Sequence, residues 1–159
     1  MKIISIDQSL TNCAYVVWEE GLVYDFGVLH TTNKDKEAIR LIYLIDNLAK
    51  IIKEENIEVI TLEGLSLGSI SNSVRVLAGL FYSIQILGER LGVPVIEFSP
   101  KTVKKFATGS GNAKKPDMWK ALPEKVQDKF TGKVKTISAG KYDLADAYFI
   151  GKLYLENYK

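Results

Sequence analysis

The sequence predicts an α/β protein with a mixed five-stranded sheet, in which three antiparallel strands precede the parallel strands and helices cover both faces. Three short apolar runs separated by polar turns open the chain, which is typical of antiparallel strands. Two later β-branched runs are each preceded by a long stretch of helical periodicity, which is typical of parallel strands joined by helical crossovers. With 159 residues, the chain has the length of one domain, residues 1–159.

The first half of the chain alternates short strands with one long helix. The predicted elements are a strand over residues 2–7, a hairpin of strands over 14–18 and 22–29, an amphipathic helix over 36–55 and a strand over 59–62. The first strand ends on Asp7 and the last is followed directly by Glu63. Both acids are therefore expected at carboxyl ends of strands, where open α/β sheets carry their sites.

The second half contains more helix and several turn signals. The predicted elements are a helix over residues 73–91, a strand over 93–98, a short helix from Pro100 to residue 106, a mobile basic loop over 108–116, a weakly indicated helix within 117–135 and a helix over 141–158. Ser99 before Pro100 is a typical helix start, whereas Pro123 interrupts the weak helical pattern. This order of elements is the ribonuclease H-like arrangement.

The helix over residues 73–91 is apolar on more than one side. Its apolar side chains form one stripe of Leu77, Phe81 and Ile84 and another of Val76, Leu80 and Leu87. One stripe is expected to pack on the sheet. The other needs a cover, which is either a second subunit or a loop of the same chain.

Composition excludes several classes of function. No apolar run is long enough to span a membrane and no signal-peptide pattern opens the chain, which predicts a cytoplasmic protein. Cys13 and His30 are the only residues of their types, so a disulfide, a zinc cluster and histidine-based acyl chemistry have little to build on. Residues 101–141 hold eleven lysines and three acids, a net charge of +8, which leaves −6 on the rest of the chain. A basic segment beside an acidic body suggests a polyanionic partner, although a charge run is more often a solvated face.

Four acids carry the predicted chemistry. Asp7 and Glu63 end strands, and Asp143 and Asp146 open the last helix on one face. If they meet, their mutual repulsion requires a cation, and oxygen ligands favour Mg²⁺, with Mn²⁺ as a substitute. Two such ions support in-line hydrolysis of a phosphodiester. Singly, each acid also has a structural explanation, such as capping a turn, pairing with a lysine or facing a helix dipole.

Four motifs occur in order along nearly the whole chain. They are IDQSLTNCAY at residues 6–15, Leu62-Glu63 before an apolar helix, Val103-Lys104 before a Gly-Ser-Lys loop, and DLADA at residues 143–147. Together they resemble the motifs of the RuvC family of Holliday-junction resolvases. The first motif alone is weakly specific, because actin-like ATPases also have an Asp-x-Gly/Ser turn, but four motifs in family order are strong.

The resemblance implies a homodimeric, Mg²⁺-dependent endonuclease that cuts four-way and other branched DNA and leaves 5′-phosphate and 3′-hydroxyl ends. It implies the four acids as ligands of two metal ions, and Lys104 and Lys115 as lysines near the scissile phosphate. Contacts with the DNA backbone are expected from Lys101, Lys104, Lys105, Lys114 and Lys115. The dimer is expected to form through the helix over residues 73–91, without a nucleotide cofactor or a membrane partner.

The chain departs from cellular members of the family at one position. Three residues after Glu63, where those members usually have an aromatic wedge, the chain has Ser66 between Leu65 and Leu67. This difference and the lysine-rich segment 113–138 favour a phage-type member with looser selectivity, in a bacterial or phage-infected cell. The alternatives are a branched-DNA binding protein that does not cut, a ribonuclease H or transposase-type nuclease, and a fragment of an actin-like ATPase.

Overall fold

The computed structural model describes residues 1–65 and 72–158. Its strands are β1 (Lys2–Asp7), β2 (Asn12–Glu19), β3 (Leu22–His30), β4 (Val59–Glu63) and β5 (Val95–Phe98). Its helices are α1 (Glu37–Glu54), α2 (Asn72–Leu91), α3 (Pro100–Thr108), α4 (Lys115–Ala121), α5 (Glu124–Lys133) and α6 (Lys141–Asn157). Within the described residues, no helix is long and apolar enough to cross a lipid bilayer.

The strands form one sheet in the order β3-β2-β1-β4-β5. Pairing is antiparallel between β1 and β2 and between β2 and β3, and parallel between β1 and β4 and between β4 and β5. The predicted mixed sheet is therefore confirmed. Its register aligns Ile6 with Leu62, so the residues that follow, Asp7 and Glu63, lie side by side at the carboxyl ends of neighbouring parallel strands.

Hydrophobic cores lie on both faces of the sheet. Successive residues of a strand point to opposite faces, and in β1 this places Ile3 in one core and Ile4 and Ile6 in the other. The first core packs the sheet against α3 to α6, and the second packs it against α1 and α2. The prediction of helices on both faces is confirmed, and the central strand is buried on both sides.

Helix α6 approaches the sheet closely at Gly151. A Cβ atom at this position would lie 2.2 Å from Trp18 Nε1 and 2.6 Å from Ser5 Oγ. Trp18 Nε1 donates a hydrogen bond of 2.9 Å to Ser5 Oγ, so the polar groups under the glycine are paired. Because α6 packs on β1 here, its amino-terminal end is held over the end of β1.

The segment between α2 and β5 differs from the prediction. Strand β5 begins at Val95 rather than at residue 93. Gly92 adopts φ +66°, and the backbone N–H of Val93 donates to the carbonyl of Gly88 at 2.9 Å. Residues 92–94 therefore complete the end of α2 instead of extending the strand.

The loop predicted over residues 108–116 is also shorter than expected. Helix α3 continues through Thr108, and α4 already begins at Lys115, where Asp117 accepts a 2.9 Å hydrogen bond from the backbone N–H of Lys114. The weak pattern within 117–135 corresponds to parts of two helices rather than one. Pro123 separates them because it has no amide hydrogen with which to continue α4.

The second apolar stripe of α2 is covered in part by α1. Leu80 and Leu87 are buried in the same core as Leu44 of α1. Tyr82 and Ile86 remain 59% and 54% exposed. The exposed apolar surface of α2 is therefore centred on these two side chains.

Candidate active site

Carboxylates from β1 and α6 meet at the end of the central strand. Each of Asp7, Asp143 and Asp146 offers an oxygen atom, and these three atoms lie within 4.8 Å of one another. The side chains are largely buried, with exposed fractions of 13%, 15% and 15%. The two acids of α6 are one helical turn apart and so face the same way, as the sequence predicts.

Glu63 borders this cluster from the neighbouring strand. The charge of Glu63 contributes to the high pKa of Asp7, and the charge of Asp146 in turn raises the pKa of Glu63. Its backbone carbonyl accepts a hydrogen bond from Gln8 Nε2, which ties the turn after β1 to the end of β4. We call Asp7, Glu63, Asp143 and Asp146 the acid cluster.

Lys115 reaches the acid cluster from the start of α4. Its ammonium group donates to Asp143 Oδ1 and lies 3.3 Å from Asp146 Oδ2 and 3.9 Å from Asp7 Oδ2. Pro116 at the start of α4 and the Asp117 cap set where this helix begins. The position of the lysine is therefore determined by the helix start that the sequence analysis placed inside a loop.

The cluster resists being fully ionised. Burial raises the pKa of Asp7 well above its usual range, and the charge of Asp146 raises it further. Burial raises the pKa of Asp146 as well, and burial together with Asp146 raises the pKa of Glu63 to about 7. Burial by itself would lower the pKa of Lys115, but Asp7, Asp143 and Asp146 raise it overall. The site thus favours additional positive charge.

The residues present fit a divalent metal ion. Asp7 Oδ2 is buried and accepts no hydrogen bond from any group in residues 1–65 or 72–158. A buried carboxylate oxygen without a donor is costly unless a cation binds it. The donors are all carboxylate oxygens, which hard cations prefer over thiol or imidazole ligands.

Comparison with known proteins identifies the family. Residues 3–138 match the family model described as Crossover junction endodeoxyribonuclease RuvC. The chain belongs to the RuvC family. It is accordingly a crossover junction endodeoxyribonuclease, a metal-dependent hydrolase of phosphodiester bonds. The matched segment ends before Asp143 and Asp146, so their assignment depends on the geometry of the cluster.

Individual relatives agree with this family. The chain is 29% identical over 126 residues to Crossover junction endodeoxyribonuclease RuvC of Synechococcus sp. (strain WH7803), covering 77% of this chain and 81% of that protein. The structure of Thermus thermophilus RuvC superposes with a TM-score of 0.71 at 18% identity, over 98% of this chain and 96% of that one. The complex of T. thermophilus RuvC with a Holliday junction substrate gives 0.72 at 18% identity, over 98% and 93% of the two chains. These structural matches support the ribonuclease H-like fold.

The other lysines predicted for this RuvC-family site lie at different distances from it. The charge of Lys104 on α3 lowers the pKa values of Glu63 and Asp146, which indicates that it borders the acid cluster. The remaining three, Lys101, Lys105 and Lys114, are exposed, and none forms an ion pair with any described residue. Their contact with DNA stays a prediction.

The sequence analysis missed two polar residues near the site. Gln8 is 7% exposed, and its Oε1 has no donor among the described residues. Arg40 of α1 is 8% exposed and reaches the turn after β1. The sequence held a weak signal for Arg40, which lies four residues before Leu44 and eight before Leu48, the spacing of one helix face.

The predicted wedge position is not among the residues that the structure describes. Ser66 and Leu67 lie outside the described residues. Leu65 is half-buried and packs against the core formed with α1 and α2.

Proposed function

We propose that this chain resolves Holliday junctions, with the acid cluster holding two Mg²⁺ ions. The observation that carries the proposal is that Asp7, Asp143 and Asp146 converge, with Glu63 at their border, and that a buried oxygen of Asp7 accepts no hydrogen bond from a described residue. Carboxylates this close require cations, and Mg²⁺ combines a few carboxylates with phosphate oxygens of a substrate. Mn²⁺ has the same ligand preference and substitutes for it.

The chemistry is hydrolysis of a phosphodiester bond. When bound, the two ions activate a water molecule and stabilise the leaving 3′ oxygen. The water oxygen bonds to phosphorus as the P–O3′ bond breaks, which leaves a 5′-phosphate and a 3′-hydroxyl. Asp7, at the end of β1, and Asp146, on α6, would hold the ions, and each side chain is fixed by a regular element of the fold.

Lys115 and Lys104 are proposed to act on the phosphate. The Lys115 ammonium already lies among the carboxylates, and metal binding there leaves it free to face a phosphate oxygen of the substrate. A cation at that point offsets the charge that builds up in the pentacovalent transition state. Lys101, Lys105 and Lys114 are proposed to contact the DNA backbone farther from the cut bond.

The proposed assembly is a homodimer through α2. Exposed Ile86 lines a groove of about 250 Å³ between α1 and α2, whose walls include Leu41 and Ile45, and the same helix exposes Tyr82. A four-way junction requires paired cuts in two strands. A twofold dimer supplies one acid cluster for each strand.

The proposal also covers the domain organisation, the range of substrates and the cellular location. We infer that the chain forms one domain over residues 1–159, because both cores share a single sheet. The lysine-rich segment of residues 113–138 supports a phage-type member that also cuts forks, flaps or D-loops. We place it in the cytoplasm of a bacterial or phage-infected cell.

Cleavage of synthetic substrates tests the proposed function. Purified protein and Mg²⁺ are incubated with a labelled four-way junction, a fork, a linear duplex and an RNA–DNA hybrid. Paired nicks in the junction and little cutting of the duplex are expected. Preferred cutting of the hybrid would instead indicate a ribonuclease H-type activity, and binding without cutting would indicate a DNA-binding protein. Asp146→Asn should abolish cleavage and leave junction binding largely intact, whereas Asp35→Asn, which changes an exposed acid outside the cluster, is the matched control and should change neither.

A further inference from the structure

A second polar cleft adjoins the acid cluster on the face of the sheet that carries α1 and α2. The turn after β1 and the first turns of the two helices enclose about 480 Å³. Gln8 lies on its wall, directly after Asp7 in the chain, and is bonded to the carbonyl of Glu63. Whatever occupies the cleft therefore lies next to the proposed cutting site.

Arg40 gives this cleft a buried positive charge. Its side chain is part of the wall although the residue is only 8% exposed. Within residues 1–65 and 72–158 it forms no ion pair, because Glu37, the acid on the same wall, pairs with Arg75 at 3.1 Å. A buried cation without a counter-charge is unfavourable, and an anion in the cleft would compensate it.

Hydroxyl groups orient Arg40 and leave donors free. Its Nε donates to Thr31 Oγ1 at 2.7 Å and one terminal nitrogen donates to Thr11 Oγ1 at 3.1 Å. A guanidinium has five N–H groups, so three have no partner among the described residues. Because the Thr11 oxygen accepts from Arg40, its own hydrogen remains available, and Ser9 adds a second hydroxyl to the wall.

We propose that this cleft binds a backbone phosphate of the DNA strand, adjacent to the phosphate that is cut, through Arg40, Thr11 and Ser9. A guanidinium fork with flanking hydroxyls suits phosphate oxygens, and the bond is charge-assisted. Leu77 and Val76 form an apolar wall that suits the deoxyribose. The proposal rests on the proposed nuclease function. It assigns Arg40 a role in substrate binding in addition to its structural contact with Thr31.

The first experiment measures binding of a labelled four-way junction in EDTA over a series of salt concentrations. Arg40→Gln is expected to weaken binding about tenfold at low salt and to reduce the slope of log K against log salt by about 1. Lys53→Gln, which removes an exposed positive charge from the last turn of the same helix, is the matched control and is expected to change neither quantity appreciably.

The second experiment separates phosphate binding from a purely structural role of Arg40. Junctions are prepared with one neutral methylphosphonate at each position around the crossover. For the wild type, one position within about two nucleotides of the cut bond should weaken binding about tenfold, while Arg40→Gln should lose no further affinity there. Equal losses in both proteins at every position would overturn the proposal and leave Arg40 as a positioning residue.

A substitute variant and the behaviour of the wild type complete the test of the phosphate cleft. If circular dichroism shows that Arg40→Gln does not fold, Thr11→Val takes its place. Thr11→Val should then lose no further affinity at the methylphosphonate position that weakens binding of the wild type. A further loss at that position overturns the proposal. A wild-type protein that neither binds nor cuts the junction contradicts the proposed function itself. A wild type that cuts, without any sensitive methylphosphonate position near the cut, contradicts only the phosphate cleft.

Discussion

Several features of Asp7 raise the free energy of the folded protein when no metal is bound. It is largely buried, its pKa is raised by burial and by neighbouring acids, and Oδ2 has no donor among the described residues. Lys115 compensates only in part, since its ammonium lies 3.9 Å from that oxygen. Such a site trades stability for the ability to bind cations.

Replacing Asp7 should therefore affect stability and activity in opposite directions. In EDTA, Asp7→Asn is expected to raise the melting temperature by a few degrees, about 1 kcal/mol, because one buried negative charge is removed. In Mg²⁺ it should reduce cleavage at least about 1,000-fold while leaving junction binding within about threefold. Thermal melting and a cleavage assay measure the two effects. A variant that melts lower in EDTA would contradict the electrostatic explanation, and Asp35→Asn should change neither property.

The raised pKa of Glu63 predicts how stability depends on pH. The pKa is about 7 in the folded chain against an ordinary value of 4.5, so between these values the folded state binds more protons than the unfolded state. Stability of the metal-free protein should then fall as pH rises from about 4.5 to 7, by about 1–2 kcal/mol for this group. Asp7 and Asp146 act in the same direction.

Urea denaturation in EDTA at several pH values checks this prediction. Glu63→Gln should flatten the decline relative to the wild type. Adding Mg²⁺ should reduce the decline in the wild type, because metal binding favours ionised carboxylates. Parallel pH profiles of the wild type and Glu63→Gln would show that the glutamate titrates normally.

At the scale of elements, the ends of β1 and β4 and the start of α6 were predictable from sequence. The β-branched runs of β1 and β4 stop at an acid and the helical pattern of α6 opens with two, and the structure places these ends together. Helices α4 and α5 were less predictable because they are short and depend on tertiary contacts. Lys129 and Lys133 of α5 donate to the carbonyls of Val23 and Phe26 on the edge strand β3, each at 2.6 Å. Contacts between such distant segments leave no periodic signal in the sequence.

The position of α6 over the end of β1 depends on Gly151. Because a Cβ there would lie 2.2 Å from Trp18 Nε1 and 2.6 Å from Ser5 Oγ, Gly151→Ala should shift the helix and cost about 1–3 kcal/mol. The shift would move Asp143 and Asp146 relative to Asp7, so cleavage should fall about 10- to 100-fold at temperatures where the variant stays folded.

Chemical denaturation and cleavage rates together test the effect of Gly151→Ala. Gly132→Ala on α5 is the matched control, since its added Cβ would have no atom within 4 Å. It should be neutral or stabilising by up to about 1 kcal/mol, because alanine favours a helix interior. Loss of stability without loss of cleavage in Gly151→Ala would show that α6 does not set the spacing of the acids.

At the scale of the whole molecule, the basic segment and the exposed apolar surface of α2 lie on different faces of the sheet. The basic segment of residues 101–141 contains α3, α4 and α5, which pack on the face of the sheet that carries α6. The exposed apolar side chains of α2 lie on the opposite face, with α1. The basic segment and the exposed apolar side chains of α2 therefore lie on different surfaces, and the proposed dimer would leave the lysines of α3 to α5 uncovered. Composition alone indicated the basic segment, but its location relative to α2 required the topology of the sheet.

The last prediction concerns the dimer. Ile86→Asp places a charge at the centre of the exposed apolar surface of α2, and burying it against a partner would be strongly unfavourable. The variant should sediment as a monomer of 17.8 kDa, whereas the wild type should have twice that mass at micromolar concentration. Its melting temperature should change little from that of an isolated wild-type protomer, since Ile86 is 54% exposed.

In the cleavage assay, Ile86→Asp should nick single strands without paired resolution. Leu22→Asp, at a 73% exposed position at the start of β3, is the control and should remain dimeric. A wild type that sediments as a monomer, or an Ile86→Asp variant that stays dimeric, would show that another surface joins the subunits.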